Sequence, residues 1–315
     1  MAITISRNSY KGVPSYVLES NRLRAEFVAQ GARMVSLVDK RLDHEFLVEQ
    51  AKESYLRSRF GHPMTPDHAV GYDDMFPTID ECHYEDFPWK GVCLPDHGEV
   101  WSLDWDMLEK GNQLTASVHG VRLPYRLSRI MSLPDENLLR MDYQLENLSP
   151  MDLSYLWSSH PMLRVEEGTL IEVPEDCESA RTILSMSGRL GSYGDEFRWP
   201  ICKDNQGNRH NLSFVRAVET GDVEKYFFTN RLKQGWCRLT QPSNGAILKF
   251  TWTVEHVPYL AIVVDEGGSG PRFYCLLEPC SAPFDRLDLS KKYTDESCIA
   301  ANSTRNWQLD FSLNA

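Results

Sequence analysis

Residues 138–147 read LLRMDYQLEN, in which Leu139, Met141, Tyr143 and Leu145 alternate with Arg140, Asp142, Gln144 and Glu146. A period of two belongs to a strand with one face buried and the other in water. The alternation recurs in LKFTWTVE (248–255), through Leu248, Phe250, Trp252 and Val254, and in WQLDFSL (307–313), through Trp307, Leu309, Phe311 and Leu313. LRAEFVAQ (23–30), QLTASVHG (113–120) and YLAIVVD (259–265) predict further strands. Turn signals divide them at Gln30-Gly31, Pro134-Asp135, Ser243-Asn244-Gly245 and the glycine-rich stretch 267–270. The best amphipathic helix, AKESYLRSR (51–59), is short. Strands spread from residue 3 to residue 313, with no Pro/Ser-rich linker between them, predict an all-β fold. It would be one large antiparallel β-sandwich with few short helices, residues 1–315 forming a single domain.

Composition narrows the class of partner. The formal net charge is −12, and the lysines and arginines are scattered, so a nucleic acid or an anionic membrane is a poor electrostatic match. The opening MAITISRNSYKG lacks a basic stretch followed by an apolar one, and nowhere do 18 apolar residues run together, which predicts a cytoplasmic protein. Eight cysteines without a C-x-x-C pair read as reduced thiols filling the core. The sequons at Asn147, Asn211 and Asn302 carry no weight in a chain that is not exported.

Three stretches place a titratable group beside a residue that restricts or frees the backbone. In LPDHGEVW (94–101), His97 stands between Asp96 and Glu99 and precedes Gly98 and Trp101. The acids would orient or charge the imidazole, the glycine would let a ligand approach, and the tryptophan would offer a flat apolar face. A surface turn can contain the same residues. In YLWSSHPML (155–163), Pro161 holds His160 extended and supplies no amide donor, so ladder pairing must break nearby and the imidazole can stand at a sheet edge. In FYCLLEPC (273–280), Glu278 ends an apolar run before Pro279, where desolvation raises a carboxylate toward the range of a general base.

Five segments in order, GARMVSLVDKRLDHEFL, GYDDMFPTI, LPDHGEVWSLDW, ENLSPMDLSYLWSSHPML and YCLLEPCSAPFDRLDLS, resemble the galactose mutarotase-like superfamily. That superfamily contains the aldose 1-epimerases and hexose-phosphate epimerases. The similarity covers roughly residues 20 to 290 and lies in the order and spacing of short motifs. The resemblance implies a sandwich that holds a sugar and interconverts its anomers by acid–base ring opening and closure, with neither metal nor organic cofactor. Carried over residue by residue, it makes Glu278 the base, His160 the acid and His97 a hydrogen-bonding partner of the sugar. Asp73, Asp74, Trp101, Trp157 and Tyr259, with Tyr72, become candidates for contact with the ring. The partner is a small sugar, and a homodimer is compatible with this reading.

The chain departs from the phosphate-handling members. AVGYDDMFP lacks the site arginine of their motif, and Trp101 stands where a further arginine would follow His-Gly. With Asp73, Asp74 and Glu99 nearby, the sequence predicts a neutral, unphosphorylated substrate. Arg57 and Arg59 are candidates to replace the lost arginine, and Asp222 or Glu224 to supply the family's additional acid. The same residues admit two other classes of protein. A non-catalytic sugar-binding or sensor protein on the same fold would not need both an acid and a base. A metal-dependent enzyme built on His62, Asp67, His68, Asp73 and Asp74 would have a ligand spacing that matches no metal motif.

Overall fold

The computed structural model describes residues 3–270, 272–292 and 298–313. Its two large antiparallel sheets have 13 and eight strands. The predicted strands form at Leu138–Asn147, Ile247–Trp252, Thr304–Leu313, Leu23–Val28, Gln113–His119 and Tyr259–Glu266. Their alternation is real: Leu139, Met141, Tyr143 and Leu145 are buried, as are Trp307, Leu309, Phe311 and Leu313. Val254 falls in a turn just beyond its strand.

The inner faces of the two sheets pack into one apolar core. Tyr143 and Trp307, from the eight-stranded sheet, stack with centroids 5.1 Å apart and planes 3° from parallel, and Trp157 meets both rings edge-on. Such aromatic pairs add about 0.5–1.5 kcal/mol each beyond the area they bury. All eight cysteines are free thiols, six of them buried.

No helix forms over 51–59. Its backbone groups are claimed from a distance: Lys11 Nζ donates to the carbonyls of Gln50 and Lys52, Gln50 Oε1 accepts from the Leu56 amide, and Gln30 Oε1 accepts from the Ser58 amide at 2.8 Å. Tertiary partners thus override a weak local preference. Among the described residues, the helical elements are Leu287–Ser290 and the 3₁₀ turns Pro66–His68 and Val218–Thr220. No helix there is long and apolar enough to cross a membrane.

The middle of the larger sheet runs Tyr72–Met75, Ser158–Pro161, Phe273–Cys280, Tyr259–Glu266 and Asp222–Phe228, each paired to the next. His160 is therefore on a central strand and not at an edge. The predicted break in pairing is nevertheless present. Ser158 pairs with Cys280 and Leu163 with Cys275, while no ladder pair joins the residues between, where Pro161 and Pro279 lack amide donors. Both flanking pairs share one register, which sets His160 opposite Glu278.

Candidate active site

Side chains on the outer face of this seam line a cavity of about 290 Å³. His97, His160, Lys225 and Glu278 form its polar end, and Arg272, Ser269 and Thr65 lie along it elsewhere. Alternation decides which residues reach it. Asp73 pairs in register with His160 and lies on the same outer face, whereas Tyr72 and Asp74 turn inward to the second sheet.

His160 is 6% exposed, and its Nδ1 lies 3.0 Å from Asp73 Oδ1. An ionised Asp73 makes Nδ1–H the donor, which leaves Nε2 for the cavity. Asp73 is itself fixed by Arg33, whose Nη2 donates to Oδ2 at 2.6 Å, both side chains being buried. Burial works against the Asp73 carboxylate's charge, but Arg33 and His160 outweigh it and hold the group below its ordinary range. Asp73 therefore orients His160 from behind and is not itself among the residues lining the cavity.

Glu278 is 1% exposed, and its Oε2 accepts no hydrogen bond within the protein. Lys225 Nζ lies 3.7 Å from that oxygen and 2.8 Å from Asp285 Oδ1. Burial pushes the Glu278 carboxyl up, and Lys225 and the two histidines act in the opposite direction without cancelling it. For Lys225, burial alone would lower the value, but Asp285 and Glu278 hold the ammonium above its ordinary range. Lys225 and Asp285 were not singled out from sequence. The signal for Lys225 is alternation in DVEKYFF, which puts Val223 and Lys225 on one face and Asp222 and Glu224 on the other. Those two acids are occupied there, Asp222 by Arg216 and Ser187, Glu224 by Arg189. Neither supplies an acid to the cavity.

His97 adopts φ 58° and Gly98 φ 70°, two left-handed residues in succession. The His97 amide donates to Ile79 O at 2.5 Å and the Glu99 amide to Phe76 O at 2.6 Å, which locks the turn against the sheet. The His97 ring then sits 5.3 Å from that of His160, centroid to centroid, with planes at 73°. Asp96 Oδ1 lies 2.9 Å from His97 Nδ1, so one of the two predicted acids does face the imidazole. Glu99 does not: it accepts from the amides of Val121 and Arg122 and from Tyr125 OH. Nor does Gly98 make room for a sugar. A Cβ there would stand 2.1 Å from Phe76 O, so glycine is required by the approach of the protein's own backbone.

Several expected ring contacts lie in the core. Asp74 is fully buried, its Oδ2 accepting from Arg129 at 2.9 Å and its Oδ1 from Tyr143 and Trp157, and burial raises its pKa despite Arg129. Trp157 faces the second sheet. Trp101, 1% exposed, backs the site instead, edge-on to His97 at 6.5 Å and to His68 at 6.0 Å. Tyr259 is 4% exposed, lies under Arg231 and does not line the cavity. Arg57 is spent on Asp104 at the surface, and Arg59 is exposed outside the cavity. The cavity's own cations are Lys225 and Arg272. Of the suggested metal ligands, Asp67 pairs with Lys52, His68 Nδ1 with Thr65 Oγ1, and Asp73 and Asp74 point to opposite faces. Among the described residues no group of three or more potential ligands converges.

No family model and no curated protein matches the sequence. Solved structures do. The Slr1438 protein from Synechocystis sp. PCC 6803 superposes with a TM-score of 0.69 at 16% identity over 99% of each chain. A galactose mutarotase-like protein from Lactobacillus casei ATCC 334 gives 0.66 at 18% identity, over 95% of this chain and 100% of the other. A galactose mutarotase related enzyme from Lactobacillus acidophilus gives 0.64 at 15%, over 96% and 97%. The large antiparallel sheets and the superpositions agree, and the chain has the galactose mutarotase-like fold.

Proposed function

We propose that the protein is an aldose 1-epimerase-like isomerase acting on a neutral, unphosphorylated sugar. The observation that carries this reading is the register of the seam. It sets an imidazole opposite a buried carboxylate whose Oε2 has no hydrogen-bond donor of its own, on the wall of one cavity. Anomer exchange requires two groups so placed. Glu278 takes the proton from the anomeric hydroxyl as the C1 carbonyl forms and the bond from C1 to the ring oxygen breaks. The electron pair of that bond goes to the ring oxygen, which takes its proton from Nε2 of doubly protonated His160. Rotation about C1–C2 and the reverse transfers close the ring as the other anomer.

The surroundings suit these roles. Asp73, held by Arg33, accepts from Nδ1–H and sits beside the positive charge the acid must carry before transfer. Lys225 keeps a positive charge near Glu278 and opposes the upward push that burial gives its pKa. His97, its Nδ1 2.9 Å from Asp96 Oδ1, stands where it can hydrogen-bond the oxygen that gains charge as the ring opens. The neutral substrate is favoured because Lys225 is already matched by Glu278 and Asp285, leaving Arg272 as the cation with no carboxylate at ion-pair distance among the described residues. The test is anomer exchange of free aldoses followed by NMR, with Glu278→Gln and His160→Asn alongside the native chain. Ordinary exchange by the native chain that both variants reduce sharply supports the reading. Sugar binding without exchange favours the sensor protein instead.

A further inference from the structure

Lys225 stands on the far side of Glu278 from His160. Strand Ser158–Pro161 adjoins Phe273–Cys280 on one edge, while on the other Tyr259–Glu266 comes between Phe273–Cys280 and Asp222–Phe228. Glu278 pairs with Ala261 and Ala261 with Phe227, so Lys225, two residues before Phe227, shares the outer face with Glu278. Its side chain crosses the intervening strand and brings Nζ to 3.7 Å from Glu278 Oε2 and 2.8 Å from Asp285 Oδ1. Both carboxylates are buried, and neither of these oxygens has a hydrogen-bond donor of good geometry within the protein. The charge of Lys225 is therefore matched while the several N–H donors of its ammonium are not all used, and the side chain lines the cavity.

We infer that Lys225 donates a hydrogen bond to the 2-hydroxyl of the sugar and makes the site selective for aldoses that carry one in the equatorial position. This deepens the ring-opening reading and rests on it. With His160 at the ring oxygen and Glu278 at the anomeric hydroxyl, the bond from the ring oxygen to C1 runs across the sheet in the direction of Lys225. In a chair pyranose the equatorial bond at C2 is parallel to that bond and points away from the ring oxygen. The 2-hydroxyl is thus carried past Glu278 on the side where Nζ stands. A hydroxyl oxygen is a neutral acceptor and suits an ammonium whose charge two carboxylates already match. A 2-deoxy sugar would displace water from that ammonium and return no acceptor.

One hydrogen bond to a charged group corresponds to a preference of roughly 10- to 100-fold. The experiment measures the affinity of the native chain for glucose, 2-deoxyglucose, galactose and 2-deoxygalactose by calorimetry, and kcat/KM for anomer exchange of each in the native chain and in Lys225→Met. Rates are taken on the pH plateau above the acidic limb, where Glu278 is ionised in both chains. The native chain should bind the 2-hydroxy member of the bound pair tighter by that factor. The ratio of kcat/KM for the 2-hydroxy over the 2-deoxy sugar should fall by a similar factor in Lys225→Met, and comparing ratios cancels any difference in the sugars' own reactivity. Equal or tighter binding of the 2-deoxy sugar overturns the inference, as does a ratio that Lys225→Met leaves unchanged. Should that variant fail to fold, the affinities of the native chain decide. Absence of exchange with all four sugars counts against the ring-opening reading instead. Calorimetry then decides this one: weaker binding of the 2-deoxy sugar by the native chain sustains it, and equal affinity or no binding of any of the four overturns it.

Discussion

Glu278 is a buried carboxylate whose Oε2 accepts no hydrogen bond from the protein, and under the proposed mechanism that oxygen is left for the anomeric hydroxyl. Replacing it with Gln removes the base but keeps the shape. Glu278→Gln and His160→Asn should each lower the exchange rate by roughly 10²-fold or more, the scale of positioned acid–base catalysis, with far-ultraviolet circular dichroism unchanged. Near-normal rates in either variant would remove that residue from the mechanism. Lys225 permits a signed test. Its charge opposes the upward push of burial on Glu278, so in Lys225→Met the carboxyl must titrate at a higher pH. Glu278 acts as base only when ionised, and the acidic limb of the rate profile should therefore move to higher pH, with the loss largest below neutrality. A limb that stays in place, or moves to lower pH, would exclude this role for Lys225.

At the scale of strands, the seam between Ser158–Pro161 and Phe273–Cys280 and the turn that carries His97 do the positioning. Gly98→Ala would force a Cβ onto Phe76 O and onto a left-handed backbone, and a loss of about 2 kcal/mol or more is expected from denaturant unfolding. Stability within a few tenths of native would show that the turn yields. What the sequence revealed follows from how local each signal is. Alternation in 138–147 and 307–313 is a property of the strand itself and was legible, as was the break in pairing near His160-Pro161. The pairing of His160 with Glu278 was not, because register between strands more than 100 residues apart is written in neither. Glu99 and Gly98 look like site residues from their neighbours, and only the contacts with Tyr125 and Phe76 show that they serve the turn. The helix expected at 51–59 fails for the same reason, through Lys11 and Gln30.

For the molecule as a whole, the two sheets divide the space: the inner faces pack into the core, and the outer face of the larger sheet lines the cavity proposed as the active site. Adjacent Asp73 and Asp74 sit on either side of that division. Asp74→Asn would leave Arg129 a buried, unmatched charge, and about 3–5 kcal/mol of stability should be lost while the rate per folded molecule stays near native. A rate that fell with stability intact would put Asp74 in the site after all. The carboxylates expected to repel a phosphate are matched within the protein, Asp73 by Arg33, Asp74 by Arg129 and Glu99 by hydrogen bonds. Under the proposed function, discrimination against sugar phosphates would rest instead on Lys225 being already matched by Glu278 and Asp285, which leaves Arg272 as the one cavity cation to meet a phosphate. A hexose should therefore be exchanged far better than its 6-phosphate, and clear preference for the phosphate would overturn the substrate class but not the acid–base pair. The central claim is that the pair across the seam opens and closes an aldose ring. Saturation-exchange NMR on purified protein, with a panel of free aldoses, tests it most directly. The account predicts exchange between anomers well above the solvent rate in the native chain and close to the solvent rate in Glu278→Gln. Exchange at the solvent rate for every sugar in the native chain, or equal acceleration by both chains, would contradict it.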